Sequence, residues 1–372
     1  MKPGVLLTLG RLPKGLDVAR SFAQAGWRVV VADPHKRHVV GASRAVTRSY
    51  CVPAPASAPN EYLNALATIV SAERIELVVP VSEEILHVSA LHGRLEEAVR
   101  ILAMPPEVIS EIHDKAGFVR FAAEQGLTVP ETKLSGAAGA LDLAMRADYV
   151  IKLRHSCAGQ GLLRGRAGEA PPHVEGAVVQ RAIVGEERSV CALADRGRIQ
   201  GCATYRGFLT SGTVAVGFEQ IEDAAIRRWI EQFVSAIGWT GFISFDFIVD
   251  ADGVPWGLEC NPRMTSGVHF FETADIAAAI LDPSAPLRLR KERRLQQMWA
   301  CLTETQNSFG DWPAFRVNLR RLLATRDVSW SWRDPWPLLG MPWTAWIIIS
   351  QSRARNISFG EAATMDIIRR AP

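Results

Sequence analysis

Short apolar runs alternate with amphipathic segments along the first part of the chain. The runs VLLTL (5–9), WRVVVAD (27–33) and IELVVPV (75–81) are predicted as strands buried on both faces, as in a parallel sheet. Helical spacing of apolar residues covers 16–23 and 61–73, and Gly26 closes the first of these segments. Strands that alternate with helices over about 110 residues predict a doubly wound α/β domain.

The pattern changes after this region. EIHDKAGFVRFAAEQG (111–126) is predicted as one amphipathic helix, and 225–237 as another. Three runs are predicted as strands: DYVIKLR (148–154), AVVQRAI (177–183) and GEERSVCALA (185–194). TGFISFDFIVD (240–250) and PWGLECNPR (255–263) flank the turn dipeptide Asp252–Gly253, which predicts an antiparallel hairpin. The second part of the chain therefore has α+β character.

The tail from residue 283 is rich in tryptophan and arginine. Seven of the 11 tryptophans lie at or beyond position 299. The segment SWSWRDPWPLLGMPW (329–343) contains several prolines, so we expect that it is not one continuous helix. FRVNLRRLLATR (315–326) fits a basic amphipathic helix.

Composition indicates a globular protein in a reducing compartment. The chain has 372 residues, of which 48% are hydrophobic and 22% charged, as is ordinary for a soluble enzyme. No apolar run reaches about 18 residues, and the N-terminus lacks the pattern of a signal peptide. The six cysteines include no CxxC pair, which argues against a disulfide framework or a structural zinc site. We expect a cytoplasmic protein of two or three domains.

The net charge of +3 originates in the tail. Residues 282–372 hold 14 basic and 8 acidic side chains, whereas the rest of the chain holds 28 and 31. The positive excess thus lies outside the segments with candidate chemistry, and we expect neither nucleic acid nor a membrane as a partner. Binding of either by the tail remains an alternative to tryptophan packing on the main domain or at a homodimer interface.

The predicted hairpin carries a candidate metal site. Glu259 and Asn261 share one face of their strand, and the hairpin can bring Asp246 beside them. An acid between two phenylalanines, as Asp246 is, is costly unless it is paired. Two carboxylates and an amide oxygen suit Mg²⁺, and Arg263 adds a cation on the same face.

Other segments are weak signals when taken alone. Lys152 lies in an apolar strand, where an unpaired ammonium is costly, and is followed by a loop of small residues (155–161) that can approach phosphates. Lys115 opens a predicted helix. The strand connection 180–187 can present backbone groups to a purine and an acid to ribose hydroxyls. Each of these has an ordinary structural explanation.

Taken in order, the segments resemble the ATP-grasp family, most closely its carbamoyl-phosphate-synthetase-like and biotin-carboxylase-like branch of carboxylate–amine ligases. The resemblance spans about residues 3–280, including PVSEE (80–84) after a strand. It implies a Rossmann-like pre-ATP-grasp domain (1–112), a small lid subdomain (113–183) and a larger antiparallel-sheet subdomain with the metal ligands (184–282). The Trp- and Arg-rich C-terminal extension (283–372) has no counterpart in the resemblance.

The resemblance also assigns roles to the residues. Lys115 and Lys152 match two lysines that bind ATP, and Lys152 and Arg263 are expected to act at the reacting phosphoryl group. Asp246, Glu259 and Asn261 match the ligands of two Mg²⁺ ions, for which Mn²⁺ can substitute. Further ATP contacts are expected from the glycine loop (Ser156, Gly159, Gly161), the hinge beside adenine (Gln180, Arg181, Ile183) and the ribose acid (Glu187). Gln160 and Arg181 depart from the family pattern, which often has Lys and Glu there.

The function that the resemblance implies is an ATP-dependent ligase. A small carboxylate would be activated as an acyl phosphate and attacked by an amine or similar nucleophile, with release of ADP and phosphate. A kinase acting on a hydroxyl and a non-catalytic nucleotide-binding module are the alternatives. The sequence does not name the carboxylate or the amine, and Arg206, Ser266 and His269 are candidate substrate contacts with equally good structural explanations.

Overall fold

Five short parallel strands form the first sheet of the computed structural model, which describes residues 2–155, 162–211, 214–355, 357 and 359–368. They run in the spatial order β3-β2-β1-β4-β5. Their bounds are Gly4–Leu7 (β1), Arg28–Asp33 (β2), Arg48–Cys51 (β3), Leu77–Val79 (β4) and Arg100–Ile101 (β5). The predicted doubly wound domain is confirmed, and its strands are continuous apolar runs because helices cover both faces of the sheet.

Helices α1 (Lys14–Gln24), α2 (Pro59–Glu73) and the short α3 (Ile85–Val88) accompany this sheet. One face of β1 and β2 packs against α1, whose Phe22 side chain is fully buried there. The other face packs with α2 through a fully buried Tyr62. Burial of each such side chain contributes roughly 1.5–3 kcal/mol, so apolar packing on both faces of the sheet stabilises the folded domain.

Two helices, not one, cover residues 106–124. α4 (Pro106–His113) ends at Asp114, and α5 (Lys115–Glu124) begins at the next residue. The Asp114 carboxylate accepts a hydrogen bond from the Ala116 amide at 3.2 Å and so caps α5. A Cβ added at Gly117 would lie 2.3 Å from the Glu111 carbonyl oxygen, so the glycine permits this close turn. The prediction of one helix over 111–126 is wrong because a capping side chain replaces the helical hydrogen bonds at this point.

A second sheet of four antiparallel strands follows, in the order β6-β9-β7-β8. Its strands are Thr132–Leu134 (β6), Tyr149–Leu153 (β7), Leu163–Gly165 (β8) and Ala177–Arg181 (β9). Helix α6 (Ala138–Arg146) packs on it through a small cluster that includes Leu143, Tyr149 and Val179. The predicted strands over 148–154 and 177–183 are confirmed.

The third sheet has seven strands in the order β14-β13-β10-β11-β12-β15-β16. Its first five members in the chain are Glu186–Asp195 (β10), Arg198–Ser211 (β11), Val214–Ile221 (β12), Gly241–Val249 (β13) and Pro255–Asn261 (β14). β13 and β14 form the predicted antiparallel hairpin. Helix α7 (Ala224–Ile237) packs Trp229 and Phe233 against Phe245 and Phe247 of the hairpin, with ring centroids 5.0–5.6 Å apart. This aromatic cluster fixes the back of the strand that carries Asp246.

The tail contributes both to the third sheet and to a helical layer. Strands β15 (Arg294–Gln296) and β16 (Arg326–Asp327) extend the sheet after helix α8 (Thr273–Leu281). The remaining helices are α9 (Met298–Asn307), α10 (Trp312–Ala324), α11 (Trp336–Arg355) and α12 (Phe359–Thr364). The predicted helix over 315–326 is confirmed as the greater part of α10, none of whose residues is buried.

The expectation that 329–343 is not one continuous helix is confirmed, because α11 begins only at Trp336. The helix then continues through Pro342. Proline removes one hydrogen bond and leaves the carbonyl four residues earlier without a donor. That carbonyl belongs to Leu338, and it accepts a hydrogen bond of 3.0 Å from the Trp299 indole. A side chain of α9 therefore replaces the missing backbone donor, which is why the helix continues.

Most of the tail tryptophans do not pack on the main domain. Trp332, Trp336, Trp343 and Trp346 are all more than half exposed. Trp330 is partly covered and contacts Trp332 edge to face, with ring centroids 4.9 Å apart. Packing of the tryptophans on the main domain is therefore wrong for these four side chains. Among the described residues, no helix is long and apolar enough to cross a membrane.

Buried ion pairs attach the tail to the first domain. The Arg11 guanidinium lies 2.9 Å from Asp33 and 2.7 Å from Asp366, and the side chains of Arg11 and Asp33 are fully buried. Asp334 accepts hydrogen bonds from Arg20 and the Arg44 amide, each at 3.0 Å. The contacts made by Asp366 and Asp334 link residues that are 290–355 positions apart, so they join the tail to the first domain.

Replacement of Arg11 by methionine should lower the free energy of unfolding by about 3–5 kcal/mol, because Asp33 would stay buried without its cation. Replacement of Arg326, whose pair with Glu292 is partly exposed, should cost less than about 1 kcal/mol. Urea unfolding followed by circular dichroism measures both variants. Equal stabilities would contradict a structural role for the buried pair.

Candidate functional site

The hairpin brings its two acids directly opposite each other. Asp246 on β13 pairs in register with Glu259 on β14, and Ser244 pairs with Asn261. The Asp246 carboxylate accepts hydrogen bonds from the Ser189 hydroxyl at 2.7 Å and from the Asn261 amide nitrogen at 3.0 Å. The predicted juxtaposition is thus present, and its three side chains offer the hard oxygen donors that Mg²⁺ prefers.

The two acids differ in their protonation equilibria. Burial, together with Glu259 opposite, raises the pKa of Asp246 to about 6. Burial acts the same way on Glu259, but Lys115 and Lys152 outweigh it and lower the pKa of that carboxyl. A cation bound between them would favour the ionised form of both.

Two lysines from different elements face this hairpin. Lys115, the first residue of α5, is buried and places its ammonium 3.2 Å from Glu259 Oε2. Lys152 on β7 donates a hydrogen bond of 2.9 Å to Gln180 Oε1 on β9. Burial lowers the pKa of Lys152, although Glu259, Asp246 and Glu187 act in the opposite direction. Both predicted ATP-binding lysines therefore lie next to the predicted metal ligands.

The end of β7 is joined to the start of α5. Arg154 donates hydrogen bonds to both carboxylate oxygens of Asp114, the residue that caps α5. The Lys115 amide also donates to the Arg154 carbonyl at 3.2 Å. These contacts hold the segment after Lys152 beside the start of α5.

The connection between β9 and β10 forms a hinge between the second and third sheets. Gln180 is buried and also donates to Thr132 Oγ1 at 3.0 Å, whereas the Arg181 side chain is exposed. Ile183 is half-buried and Glu187 exposed. A Cβ added at Gly185 would lie 2.1 Å from the Val249 carbonyl oxygen, so only glycine allows this approach.

Arg263 is held by an acid of the first domain. Its guanidinium donates to Glu83 Oε1 at 2.8 Å and to Asn261 Oδ1 at 3.1 Å. Glu83 also lies 3.5 Å from His113, and although burial opposes it, these two groups lower the pKa of Glu83. The predicted cation beside the metal face is therefore oriented by two partners.

A second first-domain residue, Lys14, reaches the same region. Its ammonium donates to Ser82 Oγ at 3.0 Å and to the Met264 carbonyl at 2.8 Å. Burial, with Arg263 nearby, lowers the pKa of Lys14 to about 7. The first domain thus contributes one acid and one base beside Arg263.

Most of the predicted site residues lie close together in the structure, and the others fall into two groups. Ser156, Gly159 and Gly161, together with Gln160, lie outside the described residues. His269 is buried against Asp17 at 2.6 Å, and Arg206 pairs with Glu219 at 2.8 Å. These partners give both side chains structural roles, so the structure does not support them as substrate contacts.

Several residues of the site were missed by sequence reasoning: Lys14, Glu83, Asp114, Arg154 and Ser189. Asp114 and Arg154 lie next to predicted residues in the sequence. An aspartate before a helical segment is a known N-cap signal, so Asp114 could have been predicted to start a helix at Lys115. Ser189 depends on the register between β10 and β13, where it pairs with Asp246. Lys14 and Glu83 depend on how the first domain packs on the hairpin, which local patterns do not encode.

Comparison with known proteins agrees with this arrangement. Residues 112–267 match the family model of an ATP-grasp domain. No curated protein matches the sequence.

Three solved structures show the same fold. N5-carboxyaminoimidazole synthetase from Staphylococcus aureus is 14% identical with a TM-score of 0.63, and the match covers 84% of this chain and 88% of that one. L-amino acid ligase from Bacillus licheniformis is 16% identical with a TM-score of 0.59 and coverages of 76% and 75%. The biotin carboxylase domain dimer of Hydrogenobacter thermophilus 2-oxoglutarate carboxylase, in complex with MgADP, ADP and bicarbonate, is 15% identical with a TM-score of 0.60 and coverages of 78% and 73%.

The match of residues 112–267 and the shared fold confirm the resemblance that the spaced motifs indicated. The hairpin acids, the two lysines and Arg263 all fall within the matched range. The chain therefore carries a match to the ATP-grasp domain family over residues 112–267.

Proposed function

We propose that the protein is an ATP-dependent ligase that activates a small carboxylate as an acyl phosphate and joins it to an amine or similar nucleophile, releasing ADP and phosphate. The observation that carries the proposal is the convergence of Asp246 and Glu259 with Lys115, Lys152 and Arg263. Three cations and two acids from four separate segments are unusual around one point unless they bind a charged ligand. The names of the structural relatives, which include a synthetase, a ligase and a carboxylase, support the same class.

The donor set fits a divalent metal. Asp246, Glu259 and Asn261 would hold Mg²⁺, in two ions as the resemblance implies, and Mn²⁺ is expected to substitute because it accepts the same oxygen ligands. When bound, the metal offsets phosphate charge and polarises the transferring phosphoryl group. The Ser189 hydroxyl fixes the orientation of Asp246 before any metal arrives.

The nucleotide would lie between the second and third sheets. Lys115 and Lys152 would bind the phosphates, while Gln180, Arg181 and Ile183 line the base and Glu187 accepts from the ribose. Lys152 donates a hydrogen bond to Gln180, so a residue proposed to bind the phosphates contacts a residue proposed to line the base. Ser156, Gly159 and Gly161 remain predicted phosphate contacts.

Arg263 and Lys152 are the proposed catalytic residues. A carboxylate oxygen attacks the γ-phosphorus, the bond to the β-phosphate oxygen breaks, and ADP leaves. The amine nitrogen then attacks the acyl carbon, the carbon–oxygen bond to phosphate breaks, and the amine loses a proton. Arg263, oriented by Glu83, would bind the substrate carboxylate and the transferring group, so the protein acts by positioning and charge neutralisation.

The partners of the protein would then be small carboxylates and amines. A homodimer and a cytoplasmic location are expected on the sequence reasoning given above. The matched dimer of a biotin carboxylase domain is consistent with the first of these.

Hydroxylamine distinguishes the ligase from a kinase. With ATP, Mg²⁺ and an active carboxylate but no amine, added hydroxylamine should intercept the acyl phosphate and yield a hydroxamate with stoichiometric ADP and phosphate. Screening of small carboxylates by ADP release, with and without hydroxylamine, measures this. A stable phosphorylated product without hydroxamate would assign a kinase, and no ADP release with any substrate would favour a non-catalytic module.

Loss of either hairpin acid should abolish most ATP turnover. Asp246→Asn and Glu259→Gln are each expected to reduce kcat by about 10²–10³, because one preorganised charged group is lost. The Tm should stay within a few degrees, since an amide can keep most of the hydrogen bonds and relieves repulsion between the acids. Asp252→Asn, in the exposed turn of the same hairpin, is the control. Turnover near the wild-type rate would refute the metal assignment, and a collapsed Tm would favour a structural role.

Lys152→Ala should weaken ATP binding far more than Lys133→Ala. Lys152 is partly buried beside Lys115 and Glu259, whereas Lys133 on β6 is exposed and pairs with Glu131 at 3.7 Å. The loss of one phosphate contact is expected to raise the Kd for ATP at least about tenfold. Isothermal titration with a non-hydrolysable ATP analogue measures both variants. The same Kd in both would remove Lys152 from the nucleotide site.

A further inference from the structure

Four large apolar side chains form an exposed stripe on helix α11. They are 52–65% exposed. Their spacing of three, four and three residues places them on one side of the helix. The members of this tryptophan stripe are Trp336, Leu339, Trp343 and Trp346. The opposite side of the helix carries the buried residues Leu338, Thr344 and Ile348. The helix is therefore anchored to the protein by one side and presents the other to its surroundings.

The stripe is uncharged along its length and cationic at its margins. Residues 336–349 include no charged side chain, and the whole of α11 includes no acid. The Arg37 guanidinium lies over the ring of Trp343, 5.7 Å from its centroid, and the exposed Lys36 precedes it in the chain. Arg353 follows Trp346 by two helical turns and is also exposed. Positive charge thus flanks indole rings on the same surface.

We propose that the tryptophan stripe binds the surface of an anionic phospholipid bilayer, with α11 lying in the plane of the interface. Tryptophan is favoured at the level of the lipid headgroups, where its ring is partly buried and its N–H reaches water or phosphate. Arginine and lysine at the margin add attraction to anionic headgroups. The apolar part of α11, residues 336–349, is 14 residues long, which is shorter than the roughly 20 apolar residues of a spanning helix and is typical of an interfacial segment.

A second copy of the chain fits the stripe less well. Three tryptophans and one leucine, each about half exposed, offer roughly 500 Å² of surface. A stable protein–protein interface needs about 800 Å² from each partner. The helix also supplies no acid to meet the cations of an identical surface. A lipid surface needs neither a matching shape nor a matching acid.

Duplex nucleic acid is also disfavoured by the arrangement of charge. A phosphate backbone is bound by a continuous track of cations. The stripe instead has its cations at the margins of a long uncharged segment. The proposal departs from the sequence expectation of no membrane partner, which set tail binding against tryptophan packing on the main domain or at a homodimer interface.

Vesicle flotation of the full-length protein tests this inference independently of the ligase assignment, since the stripe shares no residue with the candidate site. The protein is mixed with phosphatidylcholine vesicles, or with vesicles in which about one third of the lipid is phosphatidylglycerol. Binding is expected only to the second kind, and it should weaken as salt is raised. The double variant Trp343→Ser/Trp346→Ser should lose at least about tenfold in vesicle affinity.

Two further variants sharpen the result. Lys36→Glu/Arg37→Glu should weaken binding to anionic vesicles without removing any tryptophan. Trp312→Ser on α10 removes an equally exposed tryptophan, 60% exposed, outside the stripe and should leave binding unchanged. ATP turnover and Tm should match the wild type in all three variants.

Several outcomes overturn the proposal. If the wild type does not bind vesicles, the proposal is wrong. If Trp312→Ser and Trp343→Ser/Trp346→Ser lose equal vesicle affinity, the stripe is not the binding surface. A dimer seen by sedimentation velocity that Trp343→Ser/Trp346→Ser dissolves would assign the stripe to a second copy. Binding of duplex DNA that depends on Lys36 and Arg37, without vesicle binding, would assign the surface to nucleic acid.

Discussion

The apposition of Asp246 and Glu259 across one hairpin is the constraint on which the site depends. Two acids in register on adjacent strands repel each other, and burial increases the cost. The protein meets that cost with cations from other segments: Lys115 at the start of α5 and Lys152 on β7. The placement of β7 and α5 beside the hairpin is therefore an electrostatic requirement. The aromatic cluster behind Asp246 keeps the hairpin rigid enough for this arrangement to hold.

The first domain completes the site as well as supporting it. Glu83 orients Arg263, and Lys14 holds the Met264 carbonyl one residue further along the chain. Neither contact exists unless the two domains are in place. The part of the candidate site around Arg263 is thus formed where the first domain meets the hairpin. The part that we propose for the nucleotide does not need the first domain, because Gln180, Lys152 and Glu187 all belong to the second and third sheets.

Local patterns predicted much of the fold and about half of the site. Alternating faces in the hairpin placed Asp246, Glu259 and Asn261 together, and the parallel sheet followed from continuous apolar strands. What failed was non-local. The prolines correctly indicated that 329–343 is not one helix, but the continuation of α11 through Pro342 depends on a donor that Trp299 supplies from α9. Asp114 divides a segment that looked like one helix, because its side chain is engaged by Arg154 from a strand 40 residues away. The exposure of the tail tryptophans is likewise decided by which side of α11 packs, and hydrophobicity alone indicated the opposite.

The contact between Arg11 and Asp366 has a consequence for the time course of synthesis. The two residues are 355 positions apart. At about 5–20 residues per second, the carboxylate reaches its partner roughly 20–70 seconds after the arginine has emerged from the ribosome. Throughout that interval Arg11 pairs with Asp33 but lacks its second acid, Asp366. The nascent first domain is therefore electrostatically incomplete until nearly the whole chain has been made, and only then does the tail close over it.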